Sequence, residues 1–412
     1  MKILLVNKFY YHRDGVSNYL LALEKQLTAL GHTVRIFAMA NPKNLPSPDK
    51  KYFVSYLSFD KPGLKNTVRA LSRIFYSREA KKKFSALLDD FHPDVIHIHN
   101  IYHHISPSIL PVATAAHIPV VMHLHDYKLI CPNYKLFTKG QVCEKCHDGH
   151  YYHCFFNKCL KNSYLKSLGG SLEMYAHHKL WPVYKRHIEL FIAPSQFMKN
   201  ICQNFGWPEN KIIHLPNFYD DKAHQETKSE KRKNGDEPYF LYYGRLAEEK
   251  GVAVILKTLS QAPGRLKIAG EGPEAAKLKN LSTQLKLENR VDFLGFQTGA
   301  NLDKLIREAT AVIVPSIWLE NMPLNVLEAL ARHKIVIASS IGGIPEIIQN
   351  GRNGILFTAG SSEELAKIIK NLDNLNLTEI EKMAGESVKD FNIISHTQEI
   401  LKIYTKVLKN KI

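Results

Sequence analysis

The stretch from Ala311 to Ser340 constrains the fold of this chain more than any other part of its sequence. Its residue pattern predicts a strand, a loop, a helix and a second strand: Ala311–Pro315, Ser316–Asn321, Pro323 to about Arg332, and Lys334–Ala338. Proline is tolerated at the start of a helix, where its missing N–H would have no partner within the helix. A strand–helix–strand unit predicts a parallel sheet with a ligand site at the carboxyl ends of its strands.

Two carboxylates flank the start of this predicted helix. Glu320 lies in the loop, and Glu328 lies further along the helix. A carboxylate accepts hydrogen bonds from vicinal sugar hydroxyls, and the N-terminus of a helix favours a phosphate. The stretch therefore predicts a sugar-nucleotide site. The alternative interpretation is an amphipathic helix with two solvated glutamates.

Length and composition predict a globular protein of two domains. The 412 residues and 45% hydrophobic content suffice for two domains of roughly 200 residues each. No run of about 18 consecutive apolar residues occurs, so we expect no transmembrane helix. The N-terminal segment is typical of a first β-strand rather than of a signal peptide, which predicts a cytoplasmic protein with reduced thiols.

The net charge of +16 is concentrated in the N-terminal half of the chain. Residues 1–220 carry 28 Lys and Arg against 15 Asp and Glu, whereas residues 221–412 carry 27 against 24. The first half is therefore expected to face an anionic partner, either lipid headgroups or a phosphorylated substrate. No nucleic-acid-binding motif accompanies the charge, so we do not expect nucleic acid to be the partner.

Two predicted helices in the N-terminal half are candidates for contact with a membrane. Lys61–Phe84 has apolar residues at helical spacing among many basic ones, which is typical either of a helix on an anionic membrane or of an ordinary surface helix. Tyr164–His187 is predicted to be one long helix, rich in Tyr, Lys and His, that borders an acceptor groove or a membrane.

Candidate ligand-binding residues in the N-terminal half are Gly15 and His125. Gly15 lies between a predicted strand and helix and permits close approach to a phosphate, although a plain turn would also use glycine. His125 follows the strand Val120–Leu124, where a parallel sheet places its chemistry. It could act as a general base, hydrogen-bond a sugar hydroxyl, or serve structure alone.

Five of the six cysteines lie within residues 131–159. The Cys143-x-x-Cys146 pair, with Cys154 and Cys159, has the residues for a structural zinc site of four thiolates. Packed thiols and a redox or disulfide role are the alternatives.

A cationic motif opens the second half of the chain. The predicted strand Tyr239–Tyr243 runs into the sequence GRLAEEKG, which contains Arg245 and Lys250. Two cations at the exit of a strand can clamp a diphosphate, the arginine through its planar fork and the lysine as a point charge. A solvated charged turn is the alternative.

Four motifs in order, GRLAEEKG, GEGP, ENMPLNVLEA and GGIPE, resemble those of the GT-B glycosyltransferases of family 4. The Glu320-x7-Glu328 pair is similar to the signature of that family. The resemblance covers the whole chain, and the segment HDYKLICP with its cysteine loop resembles a bacterial subgroup that builds capsule, O-antigen or exopolysaccharide.

The resemblance implies an α/β architecture of two Rossmann-like domains that face each other across a cleft, with the C-terminal helix returning to the N-terminal domain. The expected divisions are an acceptor-side domain 1–220 with the cysteine-rich insertion 131–159, a linker 221–237, a nucleotide-sugar domain 238–395 and a final helix 396–412.

The resemblance also implies roles for individual residues. Arg245 and Lys250 would bind the donor diphosphate, Glu328 the ribose, and Glu320 the hydroxyls of the transferred sugar. The remaining roles are backbone N–H groups of Leu324 and Asn325 on the phosphate, Gly15 over the pyrophosphate and His125 on the sugar. Two departures are Asp14 before Gly15, where many members have Gly-Gly, and Pro323, where many have glycine.

The implied reaction is a retaining transfer from a UDP- or GDP-sugar to a lipid-linked or oligosaccharide acceptor, at the inner face of the cell membrane. The sequence contains no Asp-x-Asp, so no catalytic metal or other catalytic cofactor is expected, and a structural zinc is the one metal considered. The alternatives are a GT-B sugar-nucleotide epimerase and a non-enzymatic basic protein that binds membrane or nucleic acid.

Overall fold

The computed structural model of the protein describes residues 1–57, 73–219 and 237–409. The chain divides into two compact units. The first unit comprises Met1–Lys135, Glu144–Pro216 and Ile393–Ile412, and the second comprises Leu136–Cys143 and Asn217–Asn392. Most of the predicted linker 221–237 and residues 61–72 of the predicted basic helix lie outside the described residues.

Short strands and helices alternate along the described chain, as the periodicity of the sequence predicts. The strands are β1 (Lys2–Val6), β2 (Thr33–Phe37), β3 (Val95–Ile98), β4 (Val120–His123), β5 (Phe137–Thr138), β6 (Gln141–Val142), β7 (Leu190–Ala193), β8 (Ile212–His214), β9 (Tyr239–Tyr243), β10 (Arg265–Ala269), β11 (Val291–Gly295), β12 (Ala311–Val314), β13 (Val336–Ser339) and β14 (Ile355–Phe357).

The described α-helices are α1 (Gly15–Ala29), α2 (Arg78–Phe91), α3 (Tyr102–Ile105), α4 (Leu110–Ala115), α5 (Tyr152–Phe156), α6 (Tyr164–Tyr175), α7 (Val183–His187), α8 (Gln196–Asn204), α9 (Val252–Leu259), α10 (Ala275–Gln284), α11 (Gly299–Glu308), α12 (Leu324–Ala331), α13 (Ile344–Ile347), α14 (Ser362–Lys370), α15 (Leu377–Ser387) and α16 (Ile393–Lys409). A π-helical segment, Ala176–Leu180, continues α6.

Each unit is built on one six-stranded sheet whose strands all run parallel. The strand order is β2-β1-β3-β4-β7-β8 in the first unit and β11-β10-β9-β12-β13-β14 in the second. In both sheets the order reverses beside the first strand of the unit, which is the doubly wound arrangement that places a ligand site at the carboxyl ends of the strands. The prediction of two parallel-sheet α/β domains is confirmed.

The strands of the second unit are apolar at successive positions because both faces of their sheet are buried. In β9, Phe240 and Tyr242 pack into the core on one face of the sheet, whereas Tyr239, Leu241 and Tyr243 pack into the core on the other. Successive strand residues point to opposite faces, so a sheet covered by helices on both faces requires apolar residues at every position.

The last helix, α16, belongs to the first unit, as predicted. The hydroxyl of Tyr19 in α1 lies 2.6 Å from Nε2 of His396. The hydroxyl of Tyr404 lies 2.8 Å from Nδ1 of His97 in β3. These two buried contacts hold the end of the chain against its beginning.

Two predicted helices are interrupted in the structure. Lys61–Phe84 does not form one continuous helix, because the Ser77 hydroxyl accepts the N–H of Ala80 and caps a new helix, α2. Arg73 is buried and forms an ion pair with Glu79 at 2.7 Å, so it lies on no exposed basic face. Tyr164–His187 is divided at Pro182, which cannot continue the hydrogen-bonding pattern of a helix.

Candidate active site

The loop after β12 is held by backbone contacts with the GRLAEEKG motif. The N–H of Ile317 donates to the carbonyl of Glu249 at 3.0 Å. Gly251 has φ +68°, and a Cβ atom there would lie 1.9 Å from the carbonyl oxygen of Pro315. Only glycine permits this approach, so two segments far apart in sequence are fixed beside each other.

The backbone of Glu320 is fixed by the paired glycines that follow β13. The N–H of Gly343 donates to the Glu320 carbonyl at 2.7 Å. Gly342 has φ +62°, and a Cβ atom there would lie 2.1 Å from the same carbonyl oxygen. The GGIPE motif is thus required to place Glu320 at the carboxyl edge of the sheet.

The side chain of Glu320 is buried, with 4% of the residue exposed. Its Oε1 atom lies 2.7 Å from Nζ of Lys250 and accepts the Ser316 hydroxyl at 2.5 Å. The Lys250 ammonium also lies 5.1 Å from the centre of the Trp318 ring. Two predicted site residues are therefore brought into direct contact.

The sequence reasoning missed Ser316 and Trp318. Ser316 stabilises the Glu320 carboxylate, and Trp318 places an aromatic face beside the Lys250 ammonium. Their position within the loop that precedes Glu320 was the only available signal. Neither residue type has a spacing that identifies a site by itself.

Arg245 is exposed where the chain leaves β9. Its carbonyl accepts the buried Tyr242 hydroxyl at 2.8 Å. Two close backbone contacts support the same turn: a Cβ on Gly270 would lie 1.9 Å from the Gly244 carbonyl oxygen, and a Cβ on Gly272 would lie 2.2 Å from that of Leu246. The GEGP motif therefore packs directly beneath the turn that carries the guanidinium.

Helix α12 begins with Leu324 and Asn325 in its first turn, and Pro323 is its N-cap. No side chain of the cap accepts a hydrogen bond from that turn. The Tyr243 hydroxyl donates to the Asn325 carbonyl at 2.6 Å and ties the helix start to β9. An N-terminus without a side-chain cap retains N–H groups and a partial positive charge that suit an anion.

Glu328 lies one turn further along α12. Burial raises the pKa of its carboxyl group, and Arg332 and the Tyr243 hydroxyl oppose part of that rise. Arg332 donates to the Glu328 carbonyl at 2.6 Å, and its Nε atom pairs with Asp303 at 2.7 Å. Glu328 thus lies in a short helix whose start is held by Tyr243 of β9 and whose end is held by Asp303 through Arg332.

In the first unit, Gly15 is the first residue of α1 and Asp14 is its N-cap. The Asp14 carboxylate accepts the Ser17 N–H at 3.0 Å and the Ser17 hydroxyl at 2.9 Å. A carboxylate therefore already occupies the N-terminus of this helix. A phosphate above Gly15 would approach beside that negative charge.

His125 lies just past the end of β4 and is mostly, though not fully, buried. Its Nε2 atom is 2.8 Å from Nδ1 of His99, and its ring stacks on His123 at 4.4 Å between centroids. Burial, with the neighbouring His396 and Lys8, lowers the pKa of His125 to about 3. The ring is therefore neutral at physiological pH, with one nitrogen able to donate and one able to accept.

The four candidate zinc ligands fall into both units. Cys143 ends the Leu136–Cys143 segment of the second unit, whereas Cys146 and Cys154 are buried in the first unit with Cys159 packed against them. In the described part of the chain, no three His, Cys, Asp or Glu side chains form a group that could hold a metal ion. The zinc site stays a prediction from the cysteine spacing.

Two family profiles together match residues 13–390. Glycosyltransferase Family 4 matches residues 13–223, which is more than half of the chain, and Glycosyl transferases group 1 matches residues 223–390. Arg245, Lys250, Glu320 and Glu328 lie in the second match, and Gly15 and His125 lie in the first.

Curated relatives match parts of the chain. An uncharacterized glycosyltransferase of Methanocaldococcus jannaschii is 34% identical over 180 residues, 40% of this chain and 46% of that protein. The putative colanic acid biosynthesis glycosyltransferase WcaL of Salmonella typhimurium is 30% identical over 246 residues, 54% of this chain and 58% of that protein. The chain thus spans about half the length of these relatives.

Solved structures match nearly the whole chain. The crystal structure of HepE from Anabaena in complex with UDP has a TM-score of 0.67 and 20% identity, and the match covers 98% of this chain and 100% of that one. Each helix in the part of the chain that the structure describes is too short or too polar to span a bilayer. With its two doubly wound parallel sheets, the chain has the GT-B fold and belongs to glycosyltransferase family 4.

Proposed function

We propose that this protein is a retaining glycosyltransferase that moves a sugar from a UDP- or GDP-sugar to a lipid-linked or oligosaccharide acceptor. The observation that carries the proposal is the contact of buried Glu320 with Lys250 in the same unit as the α12 N-terminus. This arrangement supplies an acceptor for sugar hydroxyls together with positive charge for a diphosphate.

The donor would contact six residues of the second unit. Arg245 and Lys250 bind the diphosphate, and the N–H groups of Leu324 and Asn325 bind one of its phosphates. Glu328 accepts the ribose hydroxyls, and Glu320 accepts those of the sugar. HepE has been crystallised with UDP-glucose, which supports testing uridine donors first.

Retention of configuration is supported by the state of Glu320. Its Oε1 atom is engaged by both Lys250 and Ser316, so that oxygen is stabilised rather than exposed as a nucleophile. Cations that face a departing diphosphate lower the barrier by stabilising the charge that develops there. The leaving phosphate then accepts the proton of the attacking acceptor hydroxyl, and no covalent sugar–enzyme intermediate is needed.

Neutral His125 would contact the sugar as a hydrogen-bonding group, because a pKa of about 3 leaves no proton to donate as an acid near neutrality. The donor-binding role of two cations and a helix N-terminus supports a reaction without a catalytic metal. We place the enzyme in the synthesis of bacterial surface polysaccharide, because a relative is named for colanic acid biosynthesis and another is encoded in a Klebsiella pneumoniae cps region.

Calorimetric titration of the purified protein with UDP, GDP, ADP and CDP, without added metal, tests the proposal. We expect one nucleotide to bind, and Arg245→Ala or Glu328→Ala to weaken its affinity by about 10-fold or more, since each removes hydrogen bonds to or from a charged group. Lys257→Ala is the matched control, because Lys257 is an exposed cation in α9 of the same unit.

Binding that survives both substitutions would overturn the assigned donor site. The absence of binding by all four nucleotides would overturn the proposed donor class. Full binding in the presence of a chelator supports the metal-independent reaction, and binding that requires a divalent cation would contradict it.

A further inference from the structure

The described residues concentrate their exposed large apolar side chains in one segment of the first unit. Of the 17 such side chains, 7 lie between residues 152 and 180: Tyr152, Phe156, Tyr164, Leu165, Leu168, Leu172 and Leu180. We call this set the α5–α6 face. Scattered exposed apolar residues are normal, but a cluster of this kind marks an interaction surface.

Helical spacing aligns the leucines of this face. Leu165, Leu168, Leu172 and Leu180 are separated by three, four and eight residues along α6 and its π-helical continuation, which places them on one side. Leu165 is 80% exposed and Leu180 is 82% exposed. The opposite side of α6 is buried in the unit, so the leucines are not needed for its core.

Aromatic contacts join α5 to the same face. The ring of Phe155 lies 5.3 Å from Phe156 and 5.2 Å from Tyr164 between centroids. The Lys158 ammonium lies 4.3 Å from the centre of the Tyr164 ring. An exposed aromatic ring beside a lysine is typical of groups that lie at the boundary between hydrocarbon and lipid headgroups.

The charge around the α5–α6 face has one sign. Residues 152–186 contain six basic side chains and a single acidic one, Glu173. Glu173 is buried, and its carboxylate lies 2.8 Å from both Lys128 and His103. The segment therefore exposes cations without exposing a carboxylate.

We propose that the α5–α6 face docks on an anionic lipid bilayer, with its leucines and aromatic rings entering the interface and its lysines on the headgroups. An anionic bilayer offers hydrocarbon to the apolar side chains and negative headgroups to the lysines. A second copy of this chain fits less well, because two such faces would bring their lysines together. The proposal rests on the proposed function in one respect, which is that docking would bring the enzyme to a lipid-linked acceptor.

The buried side of α6 connects the docking face to His125. Glu173 on that side binds the Lys128 ammonium, and the backbone N–H of Lys128 donates to the Asp126 carboxylate at 2.9 Å. Asp126 is the residue that follows His125. A docked α6 would therefore hold the carboxyl end of β4 at a set height above the lipid surface.

Co-sedimentation with vesicles tests the proposal. The full-length protein is mixed with vesicles of phosphatidylcholine alone or with about a third phosphatidylglycerol, at low salt and at higher salt. We expect binding to the anionic vesicles, weakening with added salt because headgroup attraction is screened, and little binding to the neutral ones. The double variant Leu165→Glu with Leu172→Glu, called the α5–α6 variant, should have a partition coefficient at least 10-fold lower than that of the wild type.

The matched control is Leu30→Glu with Ile394→Glu, two exposed apolar residues of the same unit outside the α5–α6 face. It should bind vesicles within twofold of the wild type. Equal binding by the α5–α6 variant and the wild type, or no binding by the wild type, would overturn the proposal. So would a change from dimer to monomer in the α5–α6 variant, which would assign the face to a second copy.

Nucleotide titration of the same variants separates this proposal from the proposed function. The α5–α6 variant should bind nucleotide as the wild type does, because all its substituted side chains are exposed in the first unit. Vesicle binding by the wild type without nucleotide binding would support the docking face and overturn the proposed transferase. Nucleotide binding without vesicle binding would support the transferase and overturn the docking face.

Discussion

The carboxyl edges of the two sheets are built from opposite chemistry. At the first edge, His97 and His99 lie at the end of β3, and His123 and His125 lie at the end of β4. The ring centroids are 4.4 Å apart in each pair, and the second pair is stacked. Burial holds the pKa of each of these imidazoles below its ordinary value, so the edge is aromatic and neutral.

At the second edge the side chains are charged. Glu320 and Lys250 form an ion pair, Arg245 is exposed beside the Gly-rich turns, and Glu328 lies within the first two turns of α12. The comparison teaches that one architecture can carry two kinds of chemistry at the same edge of its sheet. Under the proposed function, the neutral rings would hydrogen-bond a sugar and the fixed charges would bind a diphosphate.

The largest expected effect concerns acid stability. His97 and His396 are buried, and burial lowers their pKa values to about 3 and about 4, from 6.5 in an exposed histidine. Because the folded-state values are depressed, the unfolded chain binds protons first. The stability of the first unit is therefore full above pH 6.5 and falls as the pH decreases, by about 2 kcal/mol per histidine at pH 5.

Hydrogen exchange of peptides from both units at pH 7.5 and pH 5 measures this difference. Peptides from β3, β4 and α16 should lose protection at pH 5. In the second unit the pKa of Glu328 is raised instead, so acid protonates the folded form first and opposes unfolding. If peptides of both units lost protection equally, the two edges would not differ in their response to acid, and this prediction would be wrong.

Replacement of Glu320 by glutamine is expected to have the next largest effect. The amide keeps the shape of the side chain but leaves the partly buried Lys250 ammonium without its counter-charge. We expect kcat to fall about 100-fold, a typical loss when a charged group of an electrostatic site is removed. The measurement is sugar transfer from the donor that the nucleotide titration identifies.

The control for this prediction is Glu248→Gln, which removes an exposed carboxylate from the GRLAEEKG turn. It should retain near wild-type turnover. A Glu320→Gln enzyme with full activity would remove Glu320 from the proposed site and leave the charge of the second edge without a role in transfer.

The smallest effect is expected from His99, as a positioning residue for His125. Their nitrogen atoms are 2.8 Å apart, so His99 determines which nitrogen of His125 carries the proton. His99→Leu removes this contact and should lower kcat about 10-fold, which corresponds to the loss of one hydrogen bond. His99→Asn places an amide nitrogen near the position of Nδ1 and should restore most of the activity.

Nitrogen-15 chemical shifts of His125 report its tautomer directly and complete this test. They should change in His99→Leu and return in His99→Asn. If both variants lose activity equally with unchanged shifts, His99 serves only packing, and the histidine edge is a structural core rather than a tuned recognition surface.

Much of the second edge could be predicted because its residues lie in short motifs. Glu320, Glu328, Arg245 and Lys250 follow strands whose apolar runs are visible in the sequence, and the glycines beside them mark close backbone approach. Local periodicity and turn chemistry are sufficient to place such residues at the carboxyl end of a strand. The partners Ser316 and Trp318 carried no comparable signal.

The first edge was harder to predict, because its side chains meet through sheet order and not through spacing. His97 and His123 lie in neighbouring strands, and Tyr404 and His396 arrive from the last helix. The break at Pro182 and the cap at Ser77 were also missed, since apolar spacing continues through both positions.

By itself the sequence determined the alternation of strands and helices, the two-unit α/β architecture and the charged motif of the second edge. These follow from periodicity and from the backbone freedom of glycine, which are local properties. Only the tertiary structure decided that the four histidines of the first edge lie together, that Lys250 pairs with Glu320 and that α6 exposes its leucines. These depend on which distant surfaces meet, and packing between elements sets that.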